Sequence, residues 1–139
     1  MPIGEDIPML IPISILITVI VLFVFGMYTN ITEQNELVRM SQVSMDTVDY
    51  IANIKYGDGL GNINYSKLGV SNISKTWDTL KITVNYKMNI SVYDSTVNKI
   101  WWWTNINEAP EKSIVTSIPF VIINGNNTDL GKVTVIVSK

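Results

Sequence analysis

Residues 7–32 read IPMLIPISILITVIVLFVFGMYTNIT, a stretch of the 139-residue chain without a single charged side chain. As a helix it would rise roughly 39 Å at ~1.5 Å per residue, more than the ~30 Å hydrocarbon core of a bilayer. Its densest part, residues 13–28, is dominated by Ile and Val. A lipid-facing helix tolerates these β-branched residues because its backbone groups still pair within the segment. Ile13, Leu16, Val19, Ile20, Leu22, Phe23 and Phe25 are the candidate membrane or filament-contact residues. Pro12 cannot donate to the carbonyl of Pro8, so regular helix is expected to begin near Pro12 or to kink there. A cleaved secretory signal begins with a basic region, and residues 1–6 hold no Lys or Arg, so removal by that route is not expected.

The helical pattern continues outward from the apolar run. Residues 29–56 contain no Pro or Gly, and Asn35, Arg39, Gln42, Asp46, Asp49 and Asn53 recur at spacings of three and four as one polar stripe. Leu37, Val38, Met40, Met45, Val48, Ile51 and Ala52, with small Ser41 and Ser44 among them, form the opposite face, which needs a surface to lie against. Gly57, Gly59 and Gly61 end the helix and are expected to supply its C-cap and a turn.

Beyond Tyr56 the period changes from 3.6 to 2. In residues 80–92, LKITVNYKMNISV, the even positions are apolar and the odd ones polar, the pattern of a half-buried strand. The inward set is then Leu80, Ile82, Val84, Tyr86, Met88, Ile90 and Val92, and a strand this long is expected to bend or bulge. Residues 99–106, 114–123 and 132–138 read as further strands, the last two as a hairpin, and 62–76 as a loop with one weak edge strand. The fold class is therefore α+β. A membrane and filament-core helix (1–28) and its amphipathic continuation (29–56) precede a small antiparallel β-domain (57–139), a sandwich or a curled sheet.

Composition removes most chemistry. The chain has no Cys and no His, so thiolate or imidazole metal sites, a Cys nucleophile and a Ser-His-Asp triad are impossible. Ten basic against twelve acidic residues leave a net charge of −2, without the basic footprint that nucleic acid requires. Asp46 and Asp49 lie on the solvated stripe, and Asp58, Asn62 and Asn64 lack the closing Glu of a calcium loop. The expectation is no enzyme, no catalytic residue, no cofactor and no metal.

Two features remain. Asn30, Asn64, Asn72, Asn89 and Asn126 each open an Asn-X-Ser/Thr sequon, against about two expected by chance, and are candidate glycan acceptors. Asn89 falls on the outward face of the long strand. Trp101-Trp102-Trp103 alternates faces in a strand. Read from its neighbours, Trp102 goes inward with Ile100 and Ile106, while Trp101 and Trp103 form an outward patch, a candidate subunit interface or sugar-stacking surface.

An apolar N-terminal helix that becomes amphipathic and meets a small β-domain resembles the type IV pilins, in particular the archaeal pilin-like proteins of the pilus and archaellum superfamily. The closing segments 118–122, IPFVI, and 131–135, GKVTV, are similar to the terminal hairpin of those proteins. The resemblance implies a structural subunit whose residues 13–28 sit in the cytoplasmic membrane before assembly and then bundle with other copies, with residues 37–52 docked on the sheet and the β-domain outside. Partners would be other copies and the membrane. No Lys or Arg precedes Gly4, and Glu5 and Asp6 follow it directly, unlike the cleavage region of that family. An uncleaved anchored accessory protein, similar to archaellum stator components whose β-domain binds the S-layer or a surface glycan, stays open as the alternative. With Arg39 the first basic residue, the positive-inside rule has nothing to count.

Overall fold

The computed structural model describes residues 7–69, 74–75 and 85–139, with side chains described for 10–69 and 85–139. The chain divides into two compact units, Met1–Leu37 and Val38–Lys139. Helix α1 (Ile7–Asp49) contributes to both and passes through Pro12, so helix starts before the proline and forgoes the hydrogen bond that its missing N–H cannot make. In the first unit, α1 is long and apolar enough to cross a membrane. Ser14, Thr18, Thr29 and Thr32 donate their hydroxyls to carbonyls of Ile11, Ser14, Gly26 and Tyr28 on the same helix, at 2.8–2.9 Å.

In the second unit α1 runs into a π-helical turn, Tyr50–Lys55, closed by Tyr56 N–H donating to the Ile51 carbonyl at 3.1 Å. The strands are β1 (Ile63–Asn64), β2 (Ser74–Lys75), β3 (Lys87–Asp94), β4 (Lys99–Thr104), β5 (Ser113–Asn124) and β6 (Asn127–Ser138), with a one-turn helix α2 (Tyr65–Leu68) after β1. They make one six-stranded sheet in the order β1-β5-β6-β3-β4-β2. The four long strands pair antiparallel, and the two-residue edge strands β1 and β2 pair parallel to β5 and β4. Among the described residues the domain is thus one sheet backed by a helix, and the helix covers the face that a second sheet would cover in a sandwich. Residues 62–76, read as a loop with one weak edge strand, hold both short edge strands.

The expected inward face of the long strand holds where it is described. Met88, Ile90 and Val92 are buried, Tyr86 packs half-buried against them, and strand pairing extends to Asp94. Leu80, Ile82 and Val84 lie outside the described residues. Val133, Val135 and Val137 of β6, Ile122 of β5 and Ile63 of β1 join them on the sheet side of the core.

The helix side is Met40, Ser44, Thr47, Val48, Ile51 and Ala52, all buried. This stripe is narrower than the sequence reading, since Leu37, Val38 and Met45 are exposed. At ~100° per residue Val38 and Met45 sit roughly 140° and 120° around the helix from Ile51, out of reach of the sheet. Ser44 carries no bulk, which lets the helix backbone approach the sheet.

Gly57 ends the helix by a different device from the one expected. A Cβ there would lie 2.2 Å from the Ala52 carbonyl oxygen and 2.6 Å from Asn53 backbone atoms, so glycine is required for close approach to the turn before it. Of Gly57, Gly59 and Gly61, the two with positive φ are Gly59 and Gly61.

Candidate functional site

Three surfaces could carry function: the apolar helix of the first unit, and the helix back and outer sheet face of the second. On the first, Ile13, Leu16, Val19, Ile20, Leu22, Phe23 and Phe25 are all exposed, between 50% for Ile13 and 67% for Phe23. Ile20, Val21, Val24, Phe25 and Tyr28 line an apolar groove along this helix. Their i, i+4, i+8 spacing is that of the grooves into which side-chain ridges of another helix pack.

On the helix back, Gln42 Nε2 donates to Asp46 Oδ1 at 2.7 Å and Asn53 Nδ2 to Asp49 Oδ1 at 2.6 Å. The two aspartates are therefore engaged in separate i, i+4 pairs and do not converge. Arg39, Gln42 and Val43 with Asn85 and Tyr86 line an open cavity of about 430 Å³. Asp58 turns its carboxylate onto its own loop, where Oδ1 accepts the N–H groups of Leu60 and Asn62 and Oδ2 accepts the Asn62 side-chain amide. The Asn62 amide first, then the Leu60 N–H, hold this exposed carboxyl below the ordinary range. Asn64 Oδ1 instead caps α2, accepting from Ser66 N–H and Oγ. Asp58 and Asn62 are thus tied to each other, and Asn64 to α2. Among the described residues no group of three or more Asp and Glu side chains converges.

The tryptophan reading is corrected. Trp101 and Trp103 are fully buried and Trp102 is 38% exposed, so the strand alternates as expected with its faces exchanged. Register is the cause: Ile90 pairs with Trp103 and Val92 with Trp101, and directly opposed residues share a face. Tyrosines fill the space beside both indoles, Tyr65 edge-on to Trp101 at 5.4 Å and Tyr56 stacked on Trp103. Trp101 Nε1 donates to the Gly69 carbonyl at 3.2 Å. Lys99, polar and on the same face as the two indoles, donates to the Tyr65 hydroxyl at 2.8 Å.

The outer face therefore carries Trp102, in a row with Ser91, Thr134 and Ser117, next to a row of Ile100, Tyr93, Lys132 and Pro119. Ser117 and Thr134 share a hydrogen bond of 2.9 Å, and the Lys132 amine sits 5.9 Å from the centre of the Tyr93 ring.

Asp94 and Asp129 escaped the sequence reading. Both are buried, Asp94 opposite Gly131 and Asp129 two residues before it on β6. Asp94 Oδ1 accepts N–H groups of Thr96 and Val97 at 2.9 and 3.3 Å, while Oδ2 of each aspartate has no hydrogen-bond partner. The signal for Asp94 was its place as the next even position after Met88, Ile90 and Val92.

No known protein family, curated protein or solved structure matches the chain.

Proposed function

We propose that the chain is a structural subunit of a pilus-like surface filament, held in the membrane by α1 and joined to other copies through the same residues on assembly. The observation that carries this reading is the contrast along α1. From Leu10 to Ile31 every large apolar side chain is at least 50% exposed, whereas Met40, Val48, Ile51 and Ala52 are at most 2% exposed. An apolar surface of that extent needs lipid or other helices around it. The grooves at i, i+4 spacing accept such helices. Every Ser and Thr hydroxyl from Ser14 to Thr32 is turned onto its own helix, which leaves no free polar group between Ile13 and Met27 to select one tight partner and favours broad bundling of many copies.

Electron microscopy of cells overproducing the chain tests this: filaments are expected, and a Phe23→Lys chain should make none. Cross-linking in the native membrane should give a ladder of multiples.

The internally satisfied hydroxyls also favour a second reading, since lipid alone then completes the helix. In that case the chain is an anchored accessory protein whose outer domain binds the S-layer or another envelope component. A monomer in detergent and a single cross-linked band would establish it in place of the filament.

A further inference from the structure

The described sequons differ sharply in their setting, and we infer that Asn126 is an N-glycan acceptor. The inference rests on the envelope reading above, which puts the β-domain outside. Asn126 occupies the second position of the two-residue turn between β5 and β6, after Gly125 at φ 63°. Glycine with positive φ at the first position makes the tight hairpin connection that projects its tip away from the sheet. Asn126, Asn127 and Thr128, the whole tripeptide, are exposed. A glycan is bulky and needs such a surface turn.

The other described sequons lack that combination of exposure and turn. Asn30 is exposed but lies within the regular helix α1, and its Thr32 hydroxyl is donated to the Tyr28 carbonyl. Asn64 is half-buried with its side-chain oxygen capping α2. Asn89 faces outward as expected but is half-buried in mid-sheet, flanked by Thr104 and Ile136. Asn72 lies outside the described residues.

The donor would be a glycan on a polyprenyl phosphate carrier. Asn126 Nδ2 forms a bond to C1 of the first sugar, the C1–O bond to phosphate breaks, the carrier phosphate leaves with the electron pair, and the amide gives up one proton. No oxidant or reductant is involved.

The test uses the full chain made in its own cells. An impermeant amine reagent applied to intact cells, read at exposed Lys132, reports whether the domain is outside. Mass spectrometry of the peptide containing Asn126 reports the glycan. A glycan mass on that peptide is expected, lost in Asn126→Gln and in Thr128→Ala and kept in Thr128→Ser. Lys132 labelled with Asn126 bare overturns the inference and leaves the envelope reading standing, as does a glycan found only on Asn64 or Asn89. Lys132 unlabelled with Asn126 bare overturns both.

Discussion

Tyr56 lies stacked on Trp103, their ring centroids 5.5 Å apart and their planes 25° from parallel. One residue closes the π-helical turn and the other sits in β4, so the pair ties the end of the helix to the sheet. Trp103 is fully buried and Tyr56 is 6% exposed. Large aromatics in such a place contribute both buried area and pair geometry.

Trp103→Ala should therefore cost about 3–5 kcal/mol of domain stability. Trp101→Ala should cost a similar amount, with the hydrogen bond to Gly69 lost as well. Trp102→Ser, on the outer face, should shift the denaturation midpoint little. Denaturant melts of the three variants check the assignment, and a large loss for Trp102→Ser alone would reverse it.

The faces of β4 could have been found in the sequence by parity. The β3–β4 loop, Ser95 to Asn98, has an even number of residues, and pairing Asp94 with Lys99 places even positions of β3 beside odd positions of β4. The same count applied to residues 92 and 99, the strand ends that periodicity gives, yields the same parity. Polar Lys99 and Asn105 beside the indoles argued the other way, and nothing local reveals that Lys99 reaches Tyr65 from the rim of the core. The apolar helix and the even face of β3 were legible because each has an unbroken period. The width of the buried helix stripe was not, since apolar Leu37, Val38 and Met45 differ from Met40 and Val48 only in what lies opposite them.

Burial of the Tyr56 phenol, with a smaller contribution from Tyr50, pushes it up to about 12 from an ordinary 10.0. A folded value above the unfolded one means that the folded state holds the proton more tightly. The stabilisation is thus fully present below pH 10 and is lost as pH rises toward 12, at most about 2–3 kcal/mol. Ultraviolet titration should show a late phenolate that disappears in Tyr56→Phe. That variant should lose less stability than the parent over the same pH interval.

A fragment beginning at Thr29 should be soluble and folded, because it keeps Met40, Val48 and Ile51 against the sheet. One beginning at Gly57 loses that layer, at ~1.5–3 kcal/mol for each fully buried side chain. Thermal melts should separate the two by many degrees. Equal midpoints would mean that the helix does not stabilise the sheet.

Gly57→Ala places a methyl group against backbone atoms of Ala52 and Asn53, which cannot rotate aside as a side-chain terminus can. The turn must open, at about 1–3 kcal/mol. Gly26→Ala meets nothing within 4 Å and should leave the fold unchanged. Circular dichroism melts of the two variants make the comparison.

The two buried aspartates should respond unequally to amidation. Asp94 Oδ1 accepts two backbone N–H groups of its turn, and hydrogen bonds to a charged acceptor contribute ~1.5–3 kcal/mol against less for a neutral one. Asp94→Asn weakens both bonds and should lower the melting temperature. Asp129 is also buried, but its Oδ2 meets no donor, so Asp129→Asn weakens no such pair of bonds and should move the melting temperature less. A fall at Asp129 as large as that at Asp94 would show that the bonds from Thr96 and Val97 are not what Asp94 contributes.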